Sequence, residues 1–228
     1  MTRAPQEIGT RREARASTRP AARPRLAASR GSPVPAAEDE HVATPPTVRT
    51  AAVLTVSDRC ARGEAADESG PHLVARLREA GFRVADPGLV PDEPARITRA
   101  LLRLADVDGV GLILTTGGTG LSPRDCTPEA TRPLLEREAP GIAEALRAAA
   151  LRQTAHGMLS RGLAGTRGPT LIVNLPGSLK AVREAFDVLA PVLPHALSLL
   201  AGAQAGPRDH QAPLAPGSVT PESGDPRP

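Results

Sequence analysis

The sequence predicts an α/β fold: a three-layer α/β/α sandwich with a mostly parallel sheet. Three observations carry that expectation. Between residues 50 and 203, apolar runs of strand length alternate with segments of helical apolar spacing. Aromatic residues make up only 1% of the 228, so the core has to be built from Val, Leu, Ile and Ala, which suits buried parallel strands covered by helices. The alternation also implies crossover connections, and these put helices on both faces of the sheet.

The elements follow in order. Ala51 to Val56 is an apolar strand. Residues 71 to 80 place Leu73, Val74, Leu77 and Ala80 on one helical face and stop at Gly81. Phe82 to Val90 reads as a weaker strand bent at Pro87-Gly88, and residues 94 to 105 carry Ile97, Ala100, Leu101, Leu104 and Ala105 at helical spacing. Val110 to Leu114 has the character of a buried strand. Thr127-Pro128 opens a helix with an oxygen cap followed by proline at the first helical position. Pro140-Gly141 separates it from a second helix, whose Ile142, Ala145, Leu146 and Ala149 face the core. Thr170 to Val173 is a further buried strand. From Leu179 a closing helix runs through Val182, Phe186, Leu189, Leu193 and Leu197, with a kink expected near Pro191 and Pro194.

The flanks differ in kind. Residues 1–48 hold eight Arg and five acidic residues, which accounts for the whole net charge of +3. Residues 1–48 and 204–228 together hold 13 of the 25 prolines and show no apolar periodicity, so both are expected to be disordered tails. The Arg-rich first tail admits a transit peptide, but a plain extension is the favoured reading. The basic excess belongs to that tail, and aromatic side chains for base stacking are scarce, so nucleic acid is not an expected partner. Two cysteines, Cys60 and Cys126, form neither a disulfide framework nor a zinc motif. With no apolar run of membrane length and no signal core, the expectation is a cytoplasmic chain without membrane contact.

In parallel α/β sheets, ligands bind at the carboxyl ends of the strands. Those ends carry Ser57-Asp58-Arg59, Pro91-Asp92-Glu93, Thr115-Thr116-Gly117-Gly118-Thr119-Gly120 and Asn174-Leu175-Pro176-Gly177-Ser178. Three Gly in four positions let a backbone come close to a ligand, and successive N–H groups can then form an anion nest. The alternative is a tight structural turn. The loop lacks the Gly-Lys-Ser/Thr of a Walker A motif and the third Gly of a dinucleotide fingerprint. Asp92 and Asp125 each lie in a loop after a strand: beside a phosphate they could hold Mg²⁺, or they could be ordinary loop aspartates. The Asn174 amide could read a ring edge or support its turn, and the Ser160 hydroxyl could bond a phosphate or have no role.

The run Thr115 to Ala130 resembles the signature of the MogA/MoaB family of molybdenum-cofactor biosynthesis, in company with Leu54 to Asp58, Asp67 to Pro71, Val90 to Glu93, Met158 to Arg161 and Asn174 to Gly177. The resemblance spans residues 50–203 and neither tail. It implies a molybdopterin adenylyltransferase, usually a homotrimer, that joins AMP from Mg-ATP to the terminal phosphate of molybdopterin and releases pyrophosphate. The product would pass to a MoeA-like molybdate-inserting partner. By residue, the resemblance implies catalytic roles for Asp92, Asp125 and Ser160, with the two aspartates acting on Mg²⁺ and the reacting phosphates. It implies a molybdopterin and phosphate cradle of Thr116, Gly117, Gly118, Thr119 and Gly120, and a nucleotide side of Ser57, Asn174, Pro176 and Gly177. Two other readings stand beside it. One is a MoaB-like molybdopterin-binding protein without adenylyltransferase activity. The other is a CinA-like or MoeA-like enzyme, whose glycine loops read differently.

Overall fold

A computed structural model describes residues 49–202, so both expected tails lie outside the described residues. Strand β1 (Thr50–Val56) leads into a short helix α1 (Asp58–Ala61) and the longer α2 (Ser69–Glu79). Next come β2 (Arg83–Val84), β3 (Gly88–Val90), α3 (Pro94–Leu102), β4 (Leu112–Thr116), α4 (Thr127–Thr131) and β5 (Arg137–Glu138). The chain continues through α5 (Pro140–Gln153), β6 (Ala164–Arg167), β7 (Thr170–Leu175), α6 (Leu179–Leu189) and α7 (Leu193–Leu200). One sheet forms in the order β2-β1-β4-β7-β6-β5, with β3 also pairing β1. All pairs made by β1 and the β4–β7 pair are parallel; β6 and β5 run antiparallel at the far edge.

Strand alternation assigns the layers. Ala51 and Val53 of β1, Leu112 and Leu114 of β4, and Leu171, Val173 and Leu175 of β7 pack with α2, α6 and α7. Their sequence neighbours Ala52, Leu54, Val56, Ile113 and Ile172 pack on the other face with Ile97 and Leu101 of α3 and Ala130 of α4. Successive side chains of a strand point to opposite faces, so these apolar runs need cover on both sides. The expected three layers result.

Several expectations change in detail. The strand over Phe82–Val90 is divided into β2 and β3, and Gly88 lies so close to Leu54 that a Cβ would come 2.9 Å from its Cδ1. The strand placed at Val110–Leu114 runs instead to Thr116. Thr115 and Thr116 are polar yet buried, because β1 and β7 pair with them on both sides. Helix α3 passes into a π-helical turn at Arg103–Val107 rather than staying regular to residue 105. Pro140-Gly141 opens α5 instead of separating two helices, since proline in a first turn sacrifices no helical hydrogen bond. On that helix Ala143, not Ala145, is buried, and Ala80 is exposed after α2 ends. The closing helix is two helices, broken at residues 190–192, with Pro194 in the first turn of α7. The antiparallel β5–β6 edge is unforeseen, because Ala-Gly-Thr-Arg has no apolar pattern. Gly165 makes it fit, as a Cβ there would lie 2.5 Å from the Arg137 carbonyl.

Candidate active site

Strands β1, β4 and β7 end in register, Thr55 beside Thr116 and Thr116 beside Leu175, so their following loops open at one edge. Between those loops lies a cleft of about 510 Å³. Of the residues expected at a site, Ser57, Asp92, Thr116, Gly117, Gly118, Asp125 and Gly177 line it.

The glycine loop is bent by two left-handed residues, Gly117 at φ 101° and Gly118 at φ 62°. A Cβ at Gly117 would stand 2.2 Å from the Val56 carbonyl, and one at Gly118 would stand 2.4 Å from Thr127 Oγ1. Only glycine fits either place. Thr116 Oγ1 donates to the Pro176 carbonyl at 2.7 Å and Gly117 N–H to Leu175 at 3.2 Å, which binds the loop to the end of β7. Thr127 Oγ1 donates to the Gly117 carbonyl at 2.9 Å, and Thr127 N–H donates to Gly118 at 3.0 Å. The expected role of Thr127 as helix cap is thereby corrected: Cys126 is the cap position, Thr127 is helical, and its donors are spent on the loop rather than on an anion. Among the described residues, the N–H groups of Gly118, Thr119, Gly120 and Leu121 have no protein acceptor. A run of unpaired N–H groups with their carbonyls turned away is an anion-binding concavity.

The acidic residues stand on either side of it. Asp92 Oδ2 accepts from Asp58 N–H at 2.8 Å, and Asp58 Oδ1 accepts from Asp92 N–H at 3.0 Å. Arg124 then clasps the Asp58 carboxylate with Nε at 2.9 Å and Nη2 at 3.1 Å. The Arg124 guanidinium holds Asp58 below the usual carboxylate range. Burial pushes Asp92 upward, with the negative charges of Asp58 and Asp125 adding to the rise. Asp125 Oδ2 accepts from Ser122 N–H at 3.0 Å. Asp92 and Asp125 each keep Oδ1 without a hydrogen-bond donor among the described residues. Burial, and then the negative charge of Asp92, push the Cys126 thiol up, which agrees with its not being read as a nucleophile.

Ser160, Asn174 and Pro176 line a second, mostly apolar cavity of about 240 Å³ between α5, α6 and the turn Ala155–Leu159. Ser178 lines both cavities, so they adjoin. The expected nucleotide set is therefore divided, with Ser57 and Gly177 in the polar cleft and Asn174 and Pro176 in the apolar one. The expected catalytic trio is divided in the same way. Asn174 Nδ2 is used internally, donating to Thr115 Oγ1 at 3.0 Å and Thr131 Oγ1 at 3.1 Å, while its buried Oδ1 has no partner. Ser57 caps α1 by accepting from Cys60 N–H at 3.2 Å.

Sequence reasoning missed four residues at this site. Asp58, Arg124 and Arg161 sit inside quoted motifs but carry no assigned role there. Asp67 is the fourth: it accepts from Thr55 Oγ1 at 2.6 Å and from Gly70 N–H at 2.9 Å, which pins the start of α2 to the end of β1. For Arg124 the signal available was a charge just after a Gly- and Thr-rich run; the other three offered none.

Residues 52–195 match the family described as "Probable molybdopterin binding domain". The chain belongs to this molybdopterin-binding family. It is similar to the molybdenum cofactor synthesis protein cinnamon of Drosophila melanogaster, with 46% identity over 152 residues, 66% of this chain and 25% of that protein. It is 36% identical over 152 residues to a molybdopterin adenylyltransferase of Helicobacter pylori, 66% of this chain and 86% of that enzyme. Among solved structures, the molybdopterin biosynthesis enzyme MoaB of Thermus thermophilus superimposes with a TM-score of 0.63 at 55% identity, over 68% of this chain and 98% of that one. The chain spans less than half the length of the larger relatives it matches, cinnamon among them. Within the described residues, the family match covers every strand except the start of β1 and nearly all of the helices.

Proposed function

We propose that this chain is a molybdopterin adenylyltransferase acting in molybdenum-cofactor biosynthesis. The observation that carries the reading is the glycine loop between Asp92 and Asp125, where the N–H groups of Gly118 to Leu121 have no protein acceptor and Gly118 lines the polar cleft. Likeness to a named molybdopterin adenylyltransferase supports it.

A terminal phosphate oxygen of molybdopterin attacks the α-phosphorus of ATP. The α–β phosphoanhydride bond breaks, and pyrophosphate leaves with the electron pair. The phosphate is already an anion, so no strong general base is needed; the barrier is repulsion between two negatively charged groups. The unpaired N–H groups of Gly118 to Leu121 offer donors to phosphate oxygens and fix the approach. The apolar cavity beside Ser160 and Asn174 can hold a flat ring.

The donor set suits Mg²⁺. Asp92 and Asp125 each present one uncommitted carboxylate oxygen to the same cleft, and Mg²⁺ is bound by one or two carboxylates together with substrate phosphates. When bound, it offsets charge on the reacting phosphates. With no positive side chain bonded to Asp92, these carboxylates repel substrate unless a cation accompanies it.

We place the activity within residues 50–203 and the protein in the cytoplasm, which its two free, half-buried thiols suit. Among the described residues, no helix is long and apolar enough to cross a membrane. The exposed Leu121, Met158 and Leu159 provide apolar surface for the homotrimer that the resemblance implies. A MoeA-like partner taking up the product is supported by bifunctional relatives, of which this chain spans about half. Incubation with molybdopterin and Mg-ATP, followed by mass analysis, should give adenylylated molybdopterin and pyrophosphate. Molybdopterin binding without either product would establish a MoaB-like binding protein instead.

A further inference from the structure

A trans peptide points its C=O and N–H in opposite directions, so whatever holds a carbonyl also aims the N–H of the next residue. Thr127 takes the carbonyls of Gly117 and Gly118, which aims the N–H groups of Gly118 and Thr119. The remaining peptides are held from elsewhere. Arg161 N–H donates to the Thr119 carbonyl at 2.9 Å, and Arg161 Nε donates to the Gly120 carbonyl at 2.7 Å. Arg161 Nη2 reaches the carbonyl of Asp125 at 2.8 Å, and its Nη1 pairs with Glu129 on α4.

We infer that Arg161 is the positioning residue that fixes the directions of the Gly120 and Leu121 N–H groups and holds the loop segment bearing Asp125, which lines the cleft. The inference rests on the proposed role of this loop as a phosphate cradle. Arg161 does not act as a phosphate ligand: Nε, Nη1 and Nη2 all donate within the protein, and Glu129 balances its charge. A guanidinium suits the task because its rigid fork serves three acceptors in fixed directions. A cation drawing on the carbonyl side also polarises each peptide, which strengthens donation from the opposite N–H.

The experiment uses the full chain and its Arg161→Lys and Arg161→Ala variants, with inorganic pyrophosphate as the probe in titration calorimetry and initial-rate kinetics alongside. A lysine cannot span the two carbonyls and the carboxylate. Losing one charge-assisted hydrogen bond is expected to weaken pyrophosphate affinity about tenfold. In Arg161→Ala, millimolar guanidinium should restore part of that affinity. Variants with lowered thermal midpoints but unaltered pyrophosphate affinity would overturn the inference, because a merely structural arginine changes stability alone. An unaltered chain that itself fails to bind pyrophosphate would instead sink the phosphate-cradle reading on which the inference rests. Arg161→Lys keeps the cation behind the loop and decides the matter if Arg161→Ala does not fold.

Discussion

Asp58 and Asp92 exchange hydrogen bonds, each carboxylate accepting the other's backbone N–H, at 2.8 Å and 3.0 Å. The end of β1 and the loop after β3 are thereby joined at the mouth of the cleft. Because Arg124 grips the same Asp58 carboxylate and immediately precedes Asp125, one aspartate links the loops of both candidate catalytic acids.

Asp58→Ala should lower turnover by about 10- to 100-fold, the usual loss when the partner of a metal-binding group is removed. Arg124→Ala should cost less, and the double variant should be no worse than Asp58→Ala alone, because Arg124 acts through Asp58. Pyrophosphate release from the three variants is the measurement. Additive losses would mean that Arg124 touches substrate independently.

Asp125→Asn should reduce turnover by about 100-fold, the scale for removing one preorganised electrostatic group. Molybdopterin binding should persist, since the loop N–H groups are unaffected. Turnover equal to that of the unaltered chain would remove Asp125 from the chemistry.

Gly118→Ala introduces a Cβ at φ 62°, 2.4 Å from Thr127 Oγ1 and 2.9 Å from Asp92 Oδ1. Strain of this kind costs about 1–3 kcal/mol. Thr127→Val keeps the shape but leaves the Gly117 carbonyl without its 2.9 Å donor, at a further cost of about 1–3 kcal/mol. Urea midpoints test both. A Gly118→Ala chain of full stability and activity would show that the loop is not held as described.

His72 on α2 contributes a pH dependence of stability. Burial of its ring, reinforced by the positive charges of Arg183 and Arg76, lowers its pKa from the ordinary 6.5, and its Nε2 has no hydrogen-bond partner. Glu79 and Asp187 act in the opposite direction but more weakly. As pH falls through the ordinary value, the unfolded chain takes up a proton before the folded one does, so stability falls. His72→Gln should flatten that fall, measured as thermal midpoints on either side of pH 6.5. An unchanged slope would assign the pH dependence elsewhere.

What the sequence displayed depended on the kind of interaction. β1, β4 and β7 were legible because strands buried on both faces need unbroken apolar runs. The left-handed bends at Gly117 and Gly118 were legible because only glycine tolerates them. The β5–β6 edge was not, since main-chain pairing there rests on a missing Cβ at Gly165 and on no side-chain pattern. The helix start at Thr127 was located correctly but its hydroxyl was misassigned, because a threonine donates to whichever carbonyl tertiary structure brings near. Asp58 and Arg161 show no role in the sequence for a related reason: their side chains' partners lie 32 residues or more away, Asp92 and Arg124 for Asp58, Gly120, Asp125 and Glu129 for Arg161, a separation that no local spacing encodes.

The sheet ends in stubs. β2 and β5 contribute two residues each and β3 only three, and Arg83, Arg137 and Glu138 stand exposed on them. Short, charged margins offer no template on which another chain can add a strand. Among the described residues, the sheet's margins therefore give another copy no strand to extend, which also protects the long apolar strands from fibrillar stacking.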